Sequence, residues 1–142
     1  MKEQNFKNHA QMVTGFHYVT FLGIFALMGG ALNYLLKSTP ENKYLASLLV
    51  LVSILFVLVA WYLRAFSLKA QDRAIRAEEN LRYHTLTGKL LPKELSVLQV
   101  VALRFAPDAE FIVLVERAVK ENLSAKDIKL AIQHWKADYY RV

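Results

Sequence analysis

Two apolar stretches free of acidic, lysine and arginine residues, 16–36 and 44–63, stand almost back to back, separated only by the polar segment 37–43. At about 1.5 Å of rise per residue, each forms a helix that covers the roughly 30 Å hydrocarbon core of a bilayer. Core helices of a small soluble domain are shorter and amphipathic, so these stretches predict an all-α membrane protein built on a two-helix transmembrane hairpin. In a chain of 142 residues this leaves about 15 before the first stretch and about 79 after the second. That is room for one small appended domain and excludes a second large one.

The distribution of cations orients the hairpin. Lys2 and Lys7 precede the first stretch, Lys37 and Lys43 occupy the connector, and Arg64, Lys69, Arg73, Arg76 and Arg82 follow the second stretch closely. Positive charge gathers on the cytoplasmic side, which places the C-terminal part there; with two spans, the N-terminus shares that side. Aromatic residues fit the same frame: Phe16, Tyr18, Trp61 and Tyr62 mark one membrane interface, and Tyr34 and Tyr44 the other. A cleaved signal peptide is disfavoured, because the first stretch exceeds the apolar length of about 7–15 residues that such a peptide carries and its leader is weakly basic.

Small residues propose how the spans pack. Ala26 and Gly30 form a small-x-x-x-small pair on the first span, and Ala46, Ser53 and Ala60 recur every seventh position on the second. Such stripes let helices approach closely, within one hairpin or between subunits. Asn33 and His17 lie near the span ends, where interfacial water satisfies them. Thr20, Asn33, Ser47 and Ser53 draw no continuous polar face, which argues against a channel or pump formed by this chain alone.

Past Leu63 the sequence changes character without a helix breaker until Gly88, so the second span continues into the cytoplasm as one helix; residues 44–87 in that form measure about 65 Å. Asp72 with Arg76 and Glu78 with Arg82, spaced i,i+4, read as pairs on a solvated face. A small bundle of about three short helices follows over residues 89–142. Ser96 with Gln99 has the form of a capping box and opens a helix that Pro107 stops. Residues 108–121 carry Phe111, Leu114, Val115, Ala118 and Val119 on one face. Ser124 with Asp127 opens a last helix whose stripe is expected to hold Ile128, Ile132, Trp135 and Tyr139. The organisation is thus a segment over 1–15, the hairpin over 16–63, a helical extension over 64–88 and the small domain over 89–142.

Composition restricts the chemistry. There is no cysteine, so thiolate catalysis and cysteine-based metal or cluster sites are excluded. No phosphate loop, nucleophile elbow or dinucleotide fingerprint occurs, His84 and His134 lie in no ligand pattern, and no catalytic, cofactor-binding or metal-ligating residue is assigned. An enzyme would require Asp72, Arg73, Arg104 and Asp108 to converge in a pocket; ion pairing between the long helix and the small domain explains them more simply, with Arg104 reaching Asp72 or a carboxylate of the next helix. The net charge of +6 offers anionic lipid as a partner, since the most basic part adjoins the membrane. Lys126, Lys129, Lys136 and Arg141 with nearby aromatics would suit nucleic acid, but the acids Asp127 and Asp138 interrupt them and the aromatics are needed for a core.

Four segments, QNFKNH at 4–9, LRAFSLKAQDR at 63–73, ALRFAPDAE at 102–110 and KLAIQHWKADYYRV at 129–142, resemble a family of small bacterial membrane proteins classed as a domain of unknown function. The resemblance spans nearly the whole chain and implies a multi-pass protein of the bacterial inner membrane with both termini cytoplasmic; it implies no activity. The expected role is a membrane-anchored interaction module, self-associating or an accessory subunit of a larger membrane assembly, with Arg73, Arg76, Arg104, Asp108, Trp135 and Tyr139 as contact candidates. Exposure is the criterion among them: a Trp135 or Tyr139 buried within the chain belongs to the core.

Overall fold

The computed structural model describes residues 4–6, 8 and 12–139. Lys2 and Lys7, whose charges help orient the hairpin, and Arg141, one of the basic residues weighed for nucleic acid, lie outside the described residues. All regular structure among the described residues is helical, and the chain divides into two compact units, one formed by Met12–Ser67 and the other by the segment before it together with the residues from Leu68 onward.

In the first unit a π-helical turn, Gly15–Thr20, leads into α1, Phe21–Lys37. Ser38 turns extended, Pro40 opens a short 3₁₀ turn, Pro40–Asn42, and α2 begins at Lys43. The turn satisfies an orphan carbonyl at the end of α1: both the Lys43 ammonium, at 3.0 Å, and the Ser38 hydroxyl, at 3.1 Å, donate to the Leu35 oxygen. Gly15–Lys37 and Pro40–Thr87 are each long and apolar enough to cross a membrane, and only 6% and 17% of their most apolar windows are buried within the protein.

Within the first unit, what the two helices bury falls at seven-residue intervals: Ile24 and Ala31 on α1, and Ala46, Ser53 and Ala60 on the first part of α2. Ser53 satisfies its hydroxyl inside its own helix, donating to the Val50 oxygen at 2.7 Å. The expected Ala26 and Gly30 stripe is on the exposed side instead, and a side chain at Gly23, Gly29 or Gly30 would meet nothing within 4 Å. A single covering neighbour hides one narrow heptad-spaced line of a helix, so small residues off that line stay open.

Helix α2 runs unbroken over Lys43–Thr87 and stops where the sequence predicts, at Gly88 with φ of 74°, a left-handed conformation that glycine adopts without steric cost. The second unit adds α3, Val97–Leu103, α4, Asp108–Lys120, and α5, Ala125–Ala131. The Ser96–Gln99 capping box is complete in both directions, and the Gln99 side chain also donates to the Leu123 oxygen at 2.8 Å, tying the start of α3 to the α4–α5 turn. Pro107 caps α4 from an extended conformation. Asn122, with φ of 48°, ends that helix, and the Leu123 N–H returns to the Ala118 oxygen at 3.1 Å in a Schellman arrangement. The core gathers Tyr83 of α2 with Leu95, Val100, Leu103, Phe111, Leu114, Val115 and Ile128.

The last helix is shorter than expected. Ile132 is extended, so α5 ends at Ala131 and the stripe through Trp135 and Tyr139 does not form. External acceptors take the N–H groups that a further helical turn would have used. The Glu110 carboxylate accepts from the backbone of Gln133 and His134, both at 2.9 Å, and the Phe105 oxygen accepts from Lys136 at 2.7 Å. Residues 132–139 thereby become a non-helical strap.

Candidate functional site

Beneath the strap lies a cleft of about 430 Å³, walled by Gln71, Ala74, Ile75, Glu78 and Glu79 of α2, by Arg104, and by Lys136, Ala137 and Asp138 of the strap. Each wall has a local cause. Ile75, Glu79 and Tyr83 follow one another at four-residue spacing and share the buried side of α2. Arg104 follows the last turn of α3, is 7% exposed, and lies with its guanidinium centre 4.6 Å above the Phe105 ring. Its Nη1 is 3.4 Å from Asp138 Oδ2.

Asp138 is in turn fixed by the N-terminal segment. The Gln4 amide donates to the Asp138 oxygen at 3.0 Å and accepts from the Asp138 N–H at 2.7 Å, a reciprocal pair across 134 positions of sequence. The indole of Trp135 stacks on Phe105 with ring centres 4.5 Å apart and planes 20° from parallel. Glu110 holds the near end of the strap and also meets the His134 imidazole at 2.7 Å. Burial by itself pushes the Glu110 carboxyl up; the Gln133 N–H, the imidazole and N–H of His134 and the imidazole's charge outweigh it and hold the group below its ordinary value.

Behind the cleft, Arg82 joins α2 to the start of α4. Its Nε donates to Asp108 at 2.7 Å, Nη1 to Glu79 at 2.9 Å and Nη2 to the Ala106 oxygen at 2.8 Å, while the guanidinium centre lies 4.2 Å over the Phe111 ring. Glu79 is thus buried and paired on one side while it walls the cleft on the other. The arrangement presents charges of both signs over an apolar floor, which suits a polar segment of a partner. Among the described residues, no three histidine or acidic side chains come together as metal ligands.

The six contact candidates read from sequence do not converge. Arg73 is exposed and Arg76 half-buried on α2; Asp108 is exposed and gripped by Arg82; Trp135 is half-buried against Phe105; Tyr139 is 54% exposed. Arg104 alone among them walls the cleft, and its carboxylate is Asp138 rather than Asp72. Of the four charges an enzyme would have required together, Asp72, Arg73 and Asp108 line no part of it. Arg82 pairs with Glu79 at i,i+3, not with Glu78, and is largely covered instead of lying on a solvated face. Gln4, Glu79, Arg82, Glu110 and Asp138 are not among the contact candidates read from sequence, although Glu79 lies beside Asp72, Arg73 and Arg76 and Glu110 beside Arg104 and Asp108 in the sequence's charge clusters. A carboxylate at the Ile75, Glu79, Tyr83 spacing was the available signal for one of them; the others depend on contacts between distant segments. Trp61, Tyr62, Tyr18, Tyr34 and Tyr44 are exposed on the apolar helices, with Phe16 half-buried.

No curated protein and no solved structure matches the chain. A family model matches residues 1–142, and the chain therefore belongs to the family of unknown function DUF6526.

Proposed function

We propose that this protein is a membrane-anchored, non-catalytic interaction module of the bacterial inner membrane, acting by self-association or as an accessory subunit of a larger assembly. The exposed apolar surface of α1 and of the first part of α2 supports the anchor, since a bilayer is the solvent such surfaces need. The reciprocal Gln4–Asp138 pair supports a two-span hairpin, because the segments before and after the apolar helices must lie on one side of the membrane to meet. Cation placement makes that side the cytoplasm.

The observation that carries the interaction role is the cleft under the strap. It offers Glu78, Glu79, Arg104, Lys136 and Asp138 around an apolar floor, and the charges nearest its base are held by neighbours of the same unit. A polar peptide segment or a second copy of the chain would find acceptors and donors fixed in advance. The test is a photocrosslinking residue at Gln71 or Ala74 in native membranes, followed by mild-detergent purification and mass determination. The reading expects a discrete adduct from the cleft positions and none from Lys89. Uncrosslinked monomer from every position would overturn it.

A further inference from the structure

We propose that the groove where the π-helical turn meets the end of the second apolar run is a binding site for the phosphate of one anionic phospholipid, an inference that rests on the membrane-anchored reading above. The groove holds about 200 Å³ and is lined by Val13, Phe16, His17, Leu63, Arg64 and Ser67. Half of that lining is apolar and half polar, and no carboxylate is part of it. The volume admits a phosphate and the start of its glycerol, leaving the acyl chains to run down the exposed apolar sides of the helices.

Arg64 is the first cation after residues 44–63 and is half-buried. It makes no hydrogen bond or ion pair with any described residue, in contrast to Arg82, Arg104 and Arg117, each of which has a carboxylate. A half-buried guanidinium at the edge of an apolar run needs an anion, and its planar donor fork matches phosphate. His17 adds a second donor. Its Nδ1 is 3.1 Å from both the nitrogen and the oxygen of Val13; in the tautomer where Nδ1 accepts the Val13 N–H, Nε2 carries the ring proton and is the donor left for phosphate. Ser67 gives its proton to the Leu63 oxygen at 2.7 Å and is not a donor to phosphate.

The surroundings favour a lipid over a soluble phosphate. Trp61 is 70% exposed, and Tyr62, Phe66 and Tyr18 are more than half exposed at the same ends of the two helices, the placement of aromatic side chains that sit at headgroup level. The π-helical geometry of Gly15–Thr20, a form concentrated at functional positions, accompanies Phe16 and His17 at the groove.

The experiment reconstitutes the full chain in phosphatidylcholine vesicles with and without a minority of phosphatidylglycerol and counts retained lipid by native mass spectrometry. Wild type is expected to retain one phosphatidylglycerol in preference to phosphatidylcholine. Arg64→Gln is expected to lower that retention about fivefold, the effect of one arginine near an anionic surface, His17→Gln to lower it less, and Arg64→Lys to keep part of it; Lys37→Gln, at the opposite end of the helices, leaves it unchanged. Retention by Arg64→Gln equal to wild type, or an equal loss in Lys37→Gln, would overturn the site. Displacement of the lipid by glycerol phosphate in solution would overturn the lipid in favour of a free phosphate ligand. Alkaline extraction of the same vesicles separates the two levels: protein that stays in the bilayer while ignoring Arg64 sinks only this site, whereas protein stripped from the bilayer sinks the anchor and the site with it.

Discussion

Arg82 aims its donors at a carboxylate of its own helix, a carboxylate of α4 and a backbone oxygen between α3 and α4. Removing it leaves Glu79 buried without its cation, the situation in which a broken ion pair is most destabilising. Arg82→Ala is expected to cost about 3 kcal/mol, read as a lower thermal midpoint of the C-terminal unit in the detergent-solubilised chain. Asp108→Asn costs well below that, because the Asp108 side chain is 67% exposed and water replaces its partner. Glu110 adds a dependence on pH. Its carboxyl is held below its ordinary value in the folded chain, so the strap gains stability that is present above the unfolded glutamate value of about 4.3 and is lost as pH falls through the lower folded value. In a Trp61→Phe background, Trp135 fluorescence should report release of the strap on acidification, and Glu110→Gln should flatten that response; an acid transition unaltered by the substitution would assign it to another group.

At the scale of elements, legibility followed sequence distance. The α2 stop at Gly88, the Ser96–Gln99 box and the Pro107 boundary depend on residues within a turn of one another, and each stands where its sequence signal lies. Gly88→Ala, which forces a Cβ into the left-handed region, is expected to destabilise the unit by about 1 kcal/mol, and Ser96→Ala by a similar amount through the lost cap. Denaturant midpoints of the two variants against wild type measure both. The end of α5 was illegible because its cause is remote: the periodicity of Ile128, Ile132, Trp135 and Tyr139 satisfies a helical pattern, yet Glu110 and Phe105, more than twenty positions earlier, compete for the same N–H groups and win. Helix packing divides in a related way: Ala46, Ser53 and Ala60 are buried within the chain, whereas Ala26 and Gly30 are exposed in it. Ala26 and Gly30 were chosen for size, while the line a helix buries is set by where its neighbour lies.

For the whole molecule, two helices of membrane-crossing length were readable from composition, as was the purely helical character of the described residues. The partnership of the N-terminal segment with the strap was not, since no local pattern marks Gln4. If that pair reflects a hairpin with both ends in the cytoplasm, cysteines placed at Asn8 and at Lys136 should both react with an impermeant reagent only in inverted vesicles, and one at Thr39 only in right-side-out cells; any other pattern defeats the topology. The Gln4–Asp138 pair also has a consequence in time. Its partners are 134 positions apart, so residue 4 must wait, unpaired, while both apolar helices are made and placed, and the cleft acquires its outer wall only after residue 138 has left the ribosome. A contact closed over that span forms late, which makes the wall of the cleft at Lys136, Ala137 and Asp138 among the last parts of the protein to take shape.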